Sequence, residues 1–168
     1  GPFGVGYAVA AFEPAEADES RAFDVRSQKV ERERISTIRD QEDAYTRLAR
    51  QTVEAFVKTG QVPPLPDELP EEMKNERAGV FVSLKIQSKL RGCIGTISAV
   101  TGSVAEEIQR NAVSACSQDP RFDPVTADEL ERIHYSVDVL GRAERIESVS
   151  QLDAKRYGVI VTSGYRKG

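Results

Sequence analysis

The apolar positions of this chain change period several times, and each change predicts an element. Tyr45, Leu48, Ala49, Thr52, Val53 and Phe56 recur at the i, i+3, i+4 spacing of a helix with one buried face, and Gly60 marks its end. "QVPPLPDELPEEM" follows; its prolines cannot continue a helix, so it reads as a loop. "GVFVSLKI" is dense in β-branched and aromatic residues and reads as a strand. "QSKL" turns the chain, and "RGCIGTI" returns as a second strand. In "TGSVAEEIQRNAVSACSQ", Ser103 with Glu106 predicts a capping box, and Val104, Ile108, Ala112 and Ala115 share one face. "DPRFDP" breaks that helix. Thr126 with Glu129 predicts a second capping box, with Val125 and Leu130 as its hydrophobic staple. "IHYSVDVL" alternates as a half-buried strand, with Ile133, Tyr135, Val137 and Val139 inward. A short helix opening at Ser150 and a last strand, "YGVIVTSG", complete the pattern. Strands interrupted by helices at irregular spacing predict an α+β domain with a mainly antiparallel sheet and flanking helices.

Residues 1–40 follow no such pattern. A glycine-rich apolar opening, "GPFGVGYAVAAFEP", gives way to acidic "EPAEADES" and then to the mixed charges of "DVRSQKVERERISTIRDQ". This reads as a tail followed by a solvated helix or linker.

Composition narrows the class. Of 168 residues, 39% are hydrophobic and 30% charged, which is the balance of a globular domain with a real core. No apolar run approaches the ~20 residues of a membrane helix, and the apolar opening lacks the basic flank of a signal peptide, so a cytoplasmic location is expected. Two cysteines without CxxC spacing argue against a disulfide framework or a structural zinc site, and one histidine leaves little for a transition metal. A formal charge of −4 offers no bulk attraction to nucleic acid or to an anionic membrane.

The candidate chemistry centres on "LRGCIG", residues 90–95. Gly92 and Gly95 permit close approach of backbone or ligand on either side of Cys93. Simple strand alternation puts Arg91 and Cys93 on one face. A guanidinium ~7 Å away would attract a thiolate by ~2.4 kcal/mol at an effective dielectric constant of ~20. Cys93 is thus either a reactive thiol or a small residue at a tight strand crossing, and spacing leaves both readings open. Asp119, Arg121 and Asp123 stand around two prolines and Phe122 in "DPRFDP". That loop either presents Arg121 to an anion or pairs it locally while Phe122 plugs the core. His134 falls on the polar side of its strand and reads most simply as solvent-facing, and Cys116 reads as a packed core residue.

Taken in order, "GVFVSLK", "LRGCIGT", "NAVSACSQDPRF", "HYSVDVL" and "YGVIVTSGYRKG" resemble the AMMECR-type domain, also called AmmeMemoRadiSam system protein A. The resemblance assigns residues 41–168 to that domain, cut short of its usual C-terminal continuation. Residues 1–40 become a linker preceded by a tail similar to the C-terminus of the class III extradiol dioxygenase-like (Memo-like) family. It implies a larger lobe built on an antiparallel sheet, a smaller lobe beside it, and a groove between them near the cysteine motif. The family's activity is not established. Its association with Memo-like and radical SAM proteins implies those as partners. The site it implies has Cys93 and Arg91 as catalytic residues, with Arg121, Gly92, Gly95 and Asp119 binding a small anionic substrate. The alternative is a non-catalytic adaptor docking the same partners. No cofactor is expected in this chain, and any metal site of a dioxygenase-like part would lie upstream.

Overall fold

The computed structural model describes residues 23–148 together with Asp153 and Gly158. The helix expected from Ser150, the strand expected over 157–164 and the tail 1–22 lie outside the described residues. Among the described residues these elements follow one another: α1 (Phe23–Asp40), α2 (Ala44–Thr59), α3 (Glu71–Asn75), β1 (Val80–Ile86), β2 (Lys89–Gly95), α4 (Val104–Ser117), a 3-10 helix (Ala127–Arg132) and β3 (Ile133–Val139). The strands form an antiparallel sheet in the order β2-β1-β3, so the fold is the helix-flanked α+β arrangement that the pattern predicts.

Helices α2 and α4 pack on one another and on the sheet. The core between them holds Leu48, Val53, Val82, Leu84, Ile108, Ala112, Ile133 and Tyr135. Leu48, Val53, Ile108, Ala112, Ile133 and Tyr135 are residues that the two periodicities place inward. Asp43 caps α2 by accepting from the Thr46 N–H, and Gly60 ends it in the left-handed conformation at φ 74°. The hairpin turn is tighter than expected: only Gln87 and Ser88 lie between the strands, both at positive φ, and pairing resumes at Lys89.

Several local expectations are corrected. The proline-rich segment contains α3, which buries Met73 although its first residue follows a proline. Ser103 accepts from the Glu106 N–H as expected, but the Glu106 carboxylate turns to the Gly102 N–H, so the box is not reciprocal. Thr126 and Glu129 do form a box, and it opens a 3-10 rather than an α-helix. Val139 is 42% exposed, because inward alternation fades at the end of β3. Helix α1 is mostly solvated, yet Ile35 is buried, and Arg39 donates to the Leu130 carbonyl at 2.8 Å. That contact ties α1 to the 3-10 helix.

One buried polar device sets the start of α4. Glu107 has no exposed surface, and its carboxylate accepts from both Thr101 N–H and hydroxyl, from the Val100 N–H and from the Thr96 hydroxyl. Burial pushes its carboxyl up, but these hydrogen bonds outweigh burial and hold it below the ordinary value. Asn111, one turn along the same face, donates to the Val80 carbonyl and to Thr96. The loop leaving β2 is thus fastened to α4 through side chains.

Candidate functional site

Strand β2 is an edge strand of the sheet among the described residues, and its outer hydrogen-bonding groups need partners. The "DPRF" turn supplies them. Asp119 Oδ2 accepts from the Cys93 N–H at 2.8 Å, and Arg121 Nη2 donates to the Cys93 carbonyl at 2.9 Å. Two side chains therefore take the part of a neighbouring strand. They are joined to each other, since Arg121 Nε and Nη2 both reach the Asp119 carboxylate, at 2.9 and 2.7 Å. Asp119 is buried, while the Arg121 side chain is 54% exposed. The Arg121 guanidinium also lies 5.6 Å over the Phe122 ring, so Phe122 is a platform for the arginine rather than the core plug expected.

Because the Cys93 N–H and carbonyl face outward, its cross-strand pair with Ser83 on β1 is the close, non-hydrogen-bonded kind. Ser83 Oγ sits 3.2 Å from Cys93 Sγ, positioned to donate to it. Arg121 lies near the same sulfur: its own proton affinity is raised chiefly by Asp119 and, to a lesser degree, by the Cys93 side chain. The half-buried Cys93 thiol is thus flanked by a hydroxyl and a guanidinium on the sheet face away from α4. Cys116 is buried, and burial pushes its thiol up to about 11, so it is the packed residue that its position predicts.

Arg91 is placed differently from the simple alternation. The register shifts between Leu84 and Lys85, which leaves Arg91 without a pairing partner, and such a bulge re-aims the side chain. Its guanidinium grips Glu129 through two bonds of 2.7 and 2.9 Å and reaches the carbonyls of Asp123 and Pro124. Arg91 therefore fastens β2 to the segment after the turn. Its charge is matched by Glu129 rather than directed at a thiolate.

The glycines answer to packing. A Cβ on Gly92 would come within 2.2 Å of the Ala115 carbonyl of α4, and one on Gly95 within 2.3 Å of the Phe81 ring. Close approach is what each position requires, as expected, but the approaching groups belong to the protein. His134 is half-buried rather than solvent-facing. The resemblance implies Arg91, Cys93 and Arg121 on one surface; Arg121 does lie against Cys93, whereas Arg91 turns to Glu129, and neither that partnership nor Ser83 is indicated by the motifs. The strand register could have indicated Ser83, since two antiparallel strands joined by a short turn pair their positions in a fixed order. Two concavities among the described residues lie away from Cys93: one along the outer side of α4 near Arg110, the other beside α1. No cluster of three or more His, Cys, Asp or Glu able to hold a metal ion occurs among the described residues. No helix among them is long and apolar enough to cross a membrane.

The clamp has an acid limit. Arg91 holds the Glu129 carboxyl down to about 2 against burial, helped by the Thr126 N–H. Arg121 holds Asp119 well below the usual carboxylate range, also against burial, with the Cys93 N–H assisting. Both values are depressed by folding, so both groups contribute stability that is full above the ordinary carboxyl range and is lost as pH falls towards 2. The urea midpoint is expected to hold from pH 7 to about 5 and to fall below about 4.5, with a shallower fall in Glu129→Gln. An acid limb unchanged by that substitution would contradict the assignment.

Comparison with known proteins places this geometry in a family. A family model described as AMMECR1 matches residues 46–168. A Clostridium acetobutylicum protein is 44% identical over 169 residues, covering 100% of this chain and 36% of its own length. A Thermotoga maritima protein is 44% identical over 128 residues, covering 76% of this chain and 74% of itself. The crystal structure of an uncharacterized protein from Pyrococcus horikoshii matches with a TM-score of 0.58 at 36% identity, covering 62% of this chain and 53% of that one. The chain thus spans about a third of the Clostridium relative and about three quarters of the Thermotoga one.

Proposed function

The chain belongs to the AMMECR1 family, and we propose that it is an enzyme, or an accessory to one, that works through the Cys93 thiol on a small anionic substrate. One observation carries the reading. The Cys93 N–H and carbonyl are held along one edge by Asp119 and Arg121, while its half-buried sulfur has the Ser83 hydroxyl and Arg121 as neighbours. An edge strand needs such backbone partners whatever residue stands there, but packing alone does not call for a hydroxyl and a guanidinium beside the sulfur. In this role Cys93 is the nucleophile or redox group. Ser83 steadies its sulfur, and Arg121 faces the incoming anion with the exposed half of its side chain. Arg91, Gly92, Gly95 and Asp119 act at one remove, by fixing the strand that carries Cys93.

The wider assignment belongs to the same proposal. Residues 1–40 are read as a linker and the end of a Memo-like, dioxygenase-like domain, with Memo-like and radical SAM proteins as partners in the cytoplasm. The alignment with the Clostridium protein supports treating this chain as one module of a longer protein, because it runs through the whole chain and covers 36% of that relative. The same fact favours the second reading, a non-catalytic adaptor that docks those partners.

Charge selectivity at Cys93 separates the two. The rates at which iodoacetate and iodoacetamide alkylate Cys93, mapped by mass spectrometry, give a ratio to compare with that of glutathione. A guanidinium near the sulfur attracts an incoming anion, so iodoacetate should be favoured about fivefold over the free-thiol ratio. Arg121→Gln should remove the preference, and Cys116 should stay unlabelled throughout. A ratio equal to that of glutathione in the unsubstituted protein would leave the adaptor reading in place.

A further inference from the structure

Outside the Cys93 site, the seam between α1 and the β1–β2 hairpin encloses a cleft of about 210 Å³. Its floor is apolar, formed by Ile35, which is buried, and Ile38. Its walls carry Arg34 from α1, Lys85 from β1 and His134 from β3, with Ser88 at the hairpin turn. Lys85 and His134 are direct cross-strand partners. Among the described residues, the only carboxylate lining the cleft is Glu31, which lies 3.9 Å from Arg34 on its own helix. Lys85 and His134 have no ion-pair partner among the described residues. Two cationic side chains, Lys85 from β1 and Arg34 from α1, meet over an apolar floor beside the His134 ring, which gives the cavity a polar preference and a positive lining. Its volume lies below the ~300 Å³ at which drug-sized sites begin, so the occupant is small.

We propose that this cleft binds a small organic anion: a compact charged head set against Lys85, His134 and Arg34, with a short apolar body on Ile35 and Ile38. Such a ligand joins α1 to the sheet. Because it contacts both, it stabilises the docked helix by mass action. The proposal does not rest on the reading of Cys93.

Phenyl phosphate is the probe, with inorganic phosphate and benzyl alcohol as its head-only and body-only controls, at constant ionic strength and with the full chain. Amide NMR titration is expected to give saturable shifts at Lys85–Ser88, at His134 and along 31–38. Affinity for phenyl phosphate should exceed that for either control by about tenfold, or ~1.4 kcal/mol. Lys85→Ala and, independently, Arg34→Gln should each weaken it by about fivefold or more. Cys93→Ser should leave it unchanged. Absence of saturable shifts, binding that neither basic substitution weakens, or binding lost with Cys93→Ser would each overturn the proposal.

Discussion

Replacing Gly92 with alanine is expected to destabilise the protein by about 3 kcal/mol, the upper end of the range for overpacking a core. The added methyl would sit 2.2 Å from the Ala115 carbonyl oxygen and 3.1 Å from Leu84 Cδ1. The first of these is backbone near the end of α4, so no rotamer change can relieve the contact. Either α4 lifts from the sheet or β2 is pushed outward, and both movements disturb the pairing of Leu84 with Gly92 beneath the core. Gly141 supplies the control: an added Cβ there meets nothing within 4 Å, so Gly141→Ala should stay within about 0.5 kcal/mol of the unsubstituted protein. Urea unfolding of the two variants measures the difference. Equal midpoints would mean that α4 does not rest on β2 at Gly92.

Removing the Asp119 carboxylate is expected to cost a similar amount, about 3 kcal/mol, by a different route. Asp119 is buried and accepts from the Cys93 N–H, the Arg121 N–H and two nitrogens of the Arg121 guanidinium. Hydrogen bonds to a charged group contribute roughly 1.5–3 kcal/mol each, and they are not additive here because Arg121 can turn to solvent. Asp119→Ala leaves the Cys93 N–H without its acceptor and frees Arg121 from the Cys93 carbonyl. Asp119→Asn keeps one acceptor oxygen but loses the ionic grip, so an intermediate loss is expected. Chemical unfolding at pH 7 gives both numbers, and two variants as stable as the parent would show that the turn is not holding the strand.

The fold was legible wherever one residue type had to repeat at one period. The α2 and α4 stripes, the β1 run and the first half of the β3 alternation each put several apolar side chains on one face, and burial follows that signal there. Glu107 and Asn111 were not legible as buried, although both lie on the same stripe as Val104, Ile108 and Ala115. Their partners are backbone groups of β1 and of the β2 exit loop together with the Thr96 and Thr101 hydroxyls, which no periodicity displays. At the site, the family resemblance implied Arg91, Cys93 and Arg121 together, and of the two arginines it is Arg121 that lies against Cys93. What they do to one another depended on register. A single bulge at Arg91 sends its guanidinium to Glu129, and a close cross-strand pair brings Ser83 to the sulfur. Shifts of one residue in a strand are invisible to pattern and decide where a side chain points.

Asp119 and Arg121 stand in for a neighbouring strand along Cys93, and hydrogen exchange at the Cys93 amide, read by NMR, reports on that substitution at the proton Asp119 holds. In the unsubstituted protein the Cys93 amide should exchange as slowly as the amides of the central strand β1. In Asp119→Ala the β1 amides should speed up only as far as the loss of global stability requires, while the Cys93 amide should speed up well beyond them, because its N–H then opens locally without its acceptor. A Cys93 amide that exchanges at the rate of an open edge in the unsubstituted protein, or at one unchanged rate in both proteins, would contradict the clamp and with it the case for a deliberately positioned thiol.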